Sequence, residues 1–403
     1  MAPASPASAR GRGHPAEVFF AFLRLGLTSF GGPVAHLGYF RSEFVQRRGW
    51  LDDRSFSDLV ALCQFLPGPA SSQVGMALGL SRAGWLGCLS AWLGFTMPSA
   101  IAMILFAHGI QQWAGLAAGG AVQGLKVAAV AVVAQAVWGM ARSLCPDRTR
   151  AGLALFAALL TLALPTALGQ VAAIVLSGVV GWLVLKLPPQ PTVAQAGFRV
   201  PRAAGAAALA LFFLLLFGLP LLSGLVGGRL AGQIEGVYRA GALVFGGGHV
   251  VLPLLQATVV PAGMVGNPEF LAGYGAAQAV PGPLFTFAAY LGAVSAGPVG
   301  GWAGGLLFLA VIFLPAFLLV VGALPFWDSL RQHGAIQSAL AGVNAGVVGV
   351  LLSALYDPVW TSAIHTRADF GIGLAAFGLL VYARVSPVIV VLLCAAAGLA
   401  IPG

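Results

Sequence analysis

Four apolar segments of this chain are each interrupted by a Gly/Pro motif. They are residues 18–40 around Phe30-Gly31-Gly32-Pro33, 57–80 around Pro67-Gly68-Pro69, 237–260 around Phe245-Gly246-Gly247-Gly248, and 270–293 around Pro281-Gly282-Pro283. Proline removes a backbone donor and clashes with the preceding turn. Glycine lets the chain leave helical geometry at little steric cost. Nine further apolar runs carry no such break: 84–107, 113–140, 151–165, 169–187, 203–226, 299–325, 335–356, 370–383 and 386–401. A helix crossing the hydrocarbon layer needs about 20 mostly apolar residues. Only 8% of the 403 residues are charged, against roughly 25% in soluble domains. The chain is therefore expected to be an all-α polytopic membrane protein. Unwound backbone at membrane depth survives only where protein or a water-filled cavity satisfies it, so the four interrupted segments are not ordinary lipid-facing spans.

The interruptions repeat. Gly26 and Phe30-Gly31-Gly32 recur as Gly241 and Phe245-Gly246-Gly247. Gln64 with Pro67-Gly68-Pro69 recurs as Gln278 with Pro281-Gly282-Pro283, Gly84-Trp85 and Pro98 as Gly301-Trp302 and Pro315, and Thr149-Arg150-Ala151 as Thr366-Arg367-Ala368. The order holds at a nearly constant offset, and chance alignment of apolar residues does not produce such a series. The expected organisation is a cytoplasmic tail (1–16), a first repeat (17–190), a linker with an unpaired apolar helix (191–230) and a second repeat (231–403).

Charge sets the relative orientation. Lys and Arg favour the cytoplasmic side of short loops. If the four interrupted segments are re-entrant, entering and leaving on one side, most basic residues fall on the side of the N-terminus. If all four cross fully, Arg41, Arg47, Arg48 and Arg54 move to the other side and the bias weakens. The loop 41–54 holds four Arg, while its counterpart at 261–269 holds no basic residue and one acid, Glu269. Homologous loops of opposite charge are what inverted repeats require. Nine spans plus four re-entrant segments is the expected topology, with thirteen full spans as the alternative.

Broken helices leave free ends inside the bilayer. A helix N-terminus carries unpaired N–H donors and about half a positive charge, which makes an anion site without a metal or cofactor. Inverted-repeat transporters place substrate at such discontinuous helices. The candidate binding residues are Gly31, Gly32, Pro67, Gly68, Gly246, Gly247, Pro281 and Gly282 for close backbone approach, and Gln64 and Gln278 as amide donors. His36 and His249 beside the FGG motifs are candidate cations, although they do not align with each other. Lys126 sits in mid-segment, where a charge costs about 2.5–3.5 kcal/mol; its repeat partner is the neutral Asn344. Arg24 lies in the first interrupted segment. Every carboxylate lies near a segment end or in a loop, so a buried acidic cation site is not indicated.

Other classes find little support. The formal charge of +9 comes from basic residues scattered singly among apolar runs, a topology pattern rather than a nucleic-acid patch. The four cysteines, Cys63, Cys88, Cys145 and Cys394, have no metal-ligand spacing. No Walker A, HExxH or GxSxG motif occurs, so neither an ATP-driven pump of that type nor a membrane-embedded enzyme is indicated, and no cofactor is called for.

FGGPVAHLGYFRSEFV (30–45), RRGWLD (47–52), LPGP (66–69), FGGGHVVLP (245–253) and QAVPGPLF (278–285) together resemble the chromate ion transporter family, long two-domain type. The resemblance covers the chain from about Glu17 to its C-terminus. It implies a bacterial inner-membrane carrier with oppositely oriented halves that exports chromate, a tetrahedral dianion close to sulfate in size and charge. Its implied partners are that oxyanion (chromate or sulfate) and the lipid bilayer, with a homodimer compatible.

Overall fold

The computed structural model describes residues 13–30, 32–112, 120–187, 200–244, 251–295, 299–327 and 333–400, which carry sixteen α-helices and no strand. In the first half these are α1 (Pro15–Thr28), α2 (Gly32–Phe40, continued by a π-helical turn Arg41–Arg47), α3 (Asp53–Phe65), α4 (Ala70–Gln112), α5 (Gly120–Leu144), α6 (Arg148–Ala163) and α7 (Ala167–Val184). The linker contributes α8 (Arg202–Val226). The second half repeats the order: α9 (Arg229–Ala242), α10 (Val251–Val259), α11 (Asn267–Ala279), α12 (Phe287–Val294, entered through a 3₁₀ turn Leu284–Thr286), α13 (Gly301–Ala323), α14 (Gly334–Ala354), α15 (Arg367–Val381) and α16 (Pro387–Ala400). α4 kinks where Gly84 takes φ +66°, which separates the end of the second interrupted segment from the span that follows.

The described arms of the interrupted segments fold back as hairpins, the course that re-entrant segments take. The start of α1 and the end of the α2 turn meet: Phe22 stacks on Phe44 with centroids 4.7 Å apart, and Arg48 reaches Glu17 at 3.8 Å. The chain thus turns back between the end of α1 and the start of α2 and leaves where it entered. The second segment does the same. Arg41 pairs with Asp53 at the start of α3 (2.7 Å), and Arg82 at the end of its return arm pairs with Glu17 (3.2 Å). The Arg48 and Arg82 guanidinium groups both approach Trp50, 5.6 and 5.5 Å from its ring centroid. Burial pushes the Glu43 carboxyl up, but hydrogen bonds from Arg48 and Arg47 outweigh it and hold that carboxyl below its ordinary range.

The second half closes its hairpins at one end too, with neutral groups. Gly236 in α9 packs against Thr258 at the end of α10, Gln233 donates to Ser295 after α12 (3.0 Å), and Gln256 donates to Asn267 at the start of α11 (2.7 Å). That end is opposite the first. α4 and α13 run antiparallel side by side, with Trp85 beside Phe317 (centroids 6.4 Å) and His108 beside Trp302 (6.2 Å). The two halves are therefore inverted, and a membrane-spanning α4 puts their hairpin bases on opposite faces.

Small residues let the halves interdigitate. Gly120 and Gly124 of α5 meet Gly398 and Cys394 of α16, while Gly342 of α14 meets Ser177 and Gly181 of α7. These are repeat-equivalent contacts, and a side chain at any of these glycines would strike backbone. Five helices among the described residues are long and apolar enough to cross a membrane: Ala70–Gly109, Gly120–Leu144, Arg202–Val226, Gly301–Phe326 and Gly334–Trp360. The other four expected spans, α6, α7, α15 and α16, are 16, 18, 15 and 14 residues long and pack against α14 and α5. α8 keeps most of its surface outside the fold, as a helix with lipid for its neighbour does, and touches the bundle where Phe212 O accepts a hydrogen bond from Tyr238 (3.1 Å).

Candidate oxyanion cavity

The hairpin tips meet across the halves in a matched pair of hydrogen bonds. Gly68 N–H donates to Val244 O (2.6 Å), and Gly282 N–H donates to Ser29 O (2.9 Å). Ser29 and Val244 are repeat-equivalent, as are Gly68 and Gly282, so each half offers its PGP amide to the turn that precedes the other half's FGG. Both glycines hold positive φ, +120° and +100°, a region closed to most side chains. Gly68 faces Ala316 and Gly282 faces Ser99, again repeat-equivalent residues on α13 and α4.

A cavity of about 280 Å³ opens beside the second of these junctions. Its walls come from four places: Gly32 and Pro33 opening α2, Gln135 on α5, Gln278 and Gly282 at the end of α11, and Arg384 and Ser386 in the turn between α15 and α16. Three helical segments start at this cavity: α2 at Gly32, the Leu284-to-Val294 run of α12, and α16 at Pro387. Their first N–H groups have no intrahelical acceptor. Among the described residues no carboxylate lines the cavity, and the one charged residue that does is Arg384. Gln278 neighbours the buried Tyr274 hydroxyl, yet its Nε2 completes no hydrogen bond of good geometry. Gln135 Nε2 reaches Leu380 O at 3.5 Å, which ties α5 to the end of α15.

Of the sequence candidates, Gly32, Gln278 and Gly282 come together here. Gly68 lies buried at the other junction, where Pro67 O accepts a hydrogen bond from Gln73 Nε2 (2.8 Å); Pro281 flanks Gly282 and is half-buried. Gln64 is exposed on α3. His36 is buried edge-on to Phe95, with Nδ1 3.4 Å from Ser71 Oγ, as a packed core histidine would be. Arg24 is exposed near the end of α1, and Asn344 is half-buried on α14. Lys126 is half-buried on α5 but nine residues before Gln135, about 14 Å along the axis and half a turn around it; it does not line the cavity. Gly31, Gly246, Gly247 and His249 lie outside the described residues, as do residues 1–12 of the expected tail.

Two arginines escaped the sequence reading. Arg384 looked like a loop charge that sets topology. Arg239 shares the offset that links Gly26 to Gly241 and is the repeat partner of Arg24. It sits in the last turn of α9 and pairs with Glu235 at 3.0 Å. The Arg24–Arg239 match was a signal available from the repeat itself.

The chromate transporter family model matches residues 16–182 and 234–399, once in each half. The chain is 30% identical to a chromate transport protein of Pseudomonas aeruginosa over 397 residues, 95% of this chain and 91% of that one. It is 27% identical to a chromate transport protein of Cupriavidus metallidurans over 352 residues, 84% and 81% of the two chains. A probable chromate transport protein of Synechococcus elongatus is 27% identical over 360 residues, 88% and 87%. No solved structure matches significantly. Two copies of one family's repeat, fused in opposite orientations around a shared set of helix breaks, make this multi-pass membrane protein a member of the chromate transporter family.

Proposed function

We propose that the chain is a secondary transporter that exports chromate from a bacterial cell by alternating access. The observation that carries this reading is the convergence of three helix N-termini on a cavity lined, among the described residues, by one cation and no carboxylate. Such a site favours an anion, because the free N–H groups and helix dipoles need no partner from the protein. Chromate rather than another oxyanion follows from the names of the relatives, three of which are chromate transport proteins or a probable one. The two repeats, 17–190 and 231–403, are the moving units, and the junctions Gly68–Val244 and Gly282–Ser29 are where they slide or separate. Gly32, Gln278 and Gly282 bind the oxyanion in the state described. Lys126, Arg24, Gln64, His36, Asn344 and the FGG residues of the second half act in other states of the cycle.

The N-terminus and the Arg-rich loop 41–54 face the cytoplasm, and the protein resides in the inner membrane. An inside-negative potential then drives a dianion outward at about 2.3 kcal/mol per charge per 100 mV. Uptake of radiolabelled chromate into inverted vesicles tests the proposal. Accumulation that is competed by excess unlabelled chromate is the expected result. Accumulation of labelled sulfate but not chromate would reassign the substrate, and accumulation of neither would end the proposal.

A further inference from the structure

We infer that Arg384 is the residue that reads the charge of the substrate, an inference that rests on the anion-carrier reading above. Arg384 stands at φ +53°, the one non-glycine residue with positive φ among the described residues. It follows α15 where the chain reverses: Tyr382 and Ala383 N–H both return to Gly378 O, and Val385 N–H returns to Leu379 O (2.9 Å). Helices usually end this way on glycine, because a Cβ is disfavoured in the left-handed region. The fold therefore holds a long cationic side chain at a position where backbone geometry alone would select glycine. No ion pair holds it: none of the salt bridges among the described residues includes Arg384, and no acid lines the cavity it borders. The nearby polar groups are neutral, namely Gln135, Gln278 with its unsatisfied Nε2, and Ser386. A strained, unpaired guanidinium beside neutral donors and helix N-termini is built to receive an anion from outside the protein.

The repeat sharpens the assignment. At the offset that relates Thr149-Arg150-Ala151 to Thr366-Arg367-Ala368, Arg384 corresponds to Ala167. The backbone turns between α6 and α7 and between α15 and α16 are thus related, but only the second carries a charge. The duplication alone does not account for this arginine. The neutral donors recognise oxyanion geometry, whereas Arg384 distinguishes a dianion from a monoanion, because its attraction scales with ligand charge.

Equilibrium binding of radiolabelled chromate to the purified full chain in detergent tests this, with sulfate (a tetrahedral dianion) and perchlorate (a tetrahedral monoanion) as competitors. Arg384→Gly removes the charge and suits the left-handed backbone, so a monodisperse protein is expected. Its chromate affinity should fall about 10- to 100-fold, the span of a charge-assisted hydrogen bond, and the preference of the wild type for sulfate over perchlorate should vanish. Arg384→Lys should keep that preference at reduced affinity. Arg384→Gly binding chromate as the wild type does, with sulfate still preferred, would overturn the assignment and leave the carrier reading intact. A wild-type chain that binds neither chromate nor sulfate would overturn both.

Discussion

The described residues of 13–82 and of 229–295 follow the same course in opposite directions, two hairpins in each half, yet their bases are tied by different chemistry. In the first half the ties are ionic: Glu43 bridges Arg47 and Arg48, Glu17 bridges Arg48 and Arg82, and both Arg48 and Arg82 approach the Trp50 ring. In the second half the described ties between hairpins are neutral: Gln233 to Ser295, and Gln256 to Asn267, which donates in turn to Ser362. The ion pair nearby, Glu235–Arg239, lies within α9 and joins nothing to it. One fold, held twice, thus does not need charges at its hairpin bases. The bases therefore differ in the kind of charge signal that biases sidedness, since basic residues in short loops favour one face of a membrane over the other.

This comparison can be broken in several places. The largest effect belongs to what the halves share. Gly68→Val and Gly282→Val each force a branched side chain into positive φ against α13 or α4. Each should cost about 2–5 kcal/mol, read as a lower melting temperature in detergent and a lower yield of monodisperse protein. Similar losses at both sites are expected; a silent Gly282→Val would show that the junctions are not equivalent. Next comes Glu43→Gln, which leaves Arg47 and Arg48 without their shared acceptor at about 1–2 kcal/mol. Asn267→Ala at the neutral base should cost about 1 kcal/mol, and only the Glu43 effect should shrink in high salt.

Acid should separate the bases more gently. The Glu43 carboxyl is held below its ordinary value of 4.5. Its stabilising contribution is therefore complete above that pH and is lost as pH falls below it. Protection of the Gly13 amide, whose N–H donates to Arg82 O, relative to the free-peptide exchange rate at the same pH should fall on that descent, while protection of Gly263 N–H, bonded to Val260 O, should stay constant. Smallest of all is Arg41→Ala. That pair with Asp53 is exposed on both sides, and its loss should leave the melting temperature unchanged.

How much of this was legible in the sequence depends on whether a feature is local or assembled. The breaks were legible because Gly and Pro act on their own backbone. The inverted relation of the halves was legible because loop charge differs in sign between the homologous loops 41–54 and 261–269. The lengths of the spans were less legible, because α6, α7, α15 and α16 are short and bury themselves against the opposite half. The cavity was legible only in part: Gly32, Gln278 and Gly282 were marked by their motifs, but Arg384 belongs to a turn that meets them only through packing between halves. Lys126 shows the converse. A charge in mid-segment is a reasonable functional candidate, but helical phase decides what it faces, and in this state α5 turns Gln135 rather than Lys126 toward the cavity.

Thiol labelling from each side of the membrane tests the inverted, re-entrant architecture most directly. In a chain with Cys63, Cys88, Cys145 and Cys394 replaced by serine, single cysteines would be placed at His14 before the first hairpin, Gln46 after it, and Ala262 between the second-half hairpins. The account predicts that an impermeant reagent reaches His14→Cys and Gln46→Cys from one face and Ala262→Cys from the other. Labelling of Gln46→Cys from the face opposite His14→Cys, with Ala262→Cys on the His14 side, would mean thirteen full crossings and would contradict it.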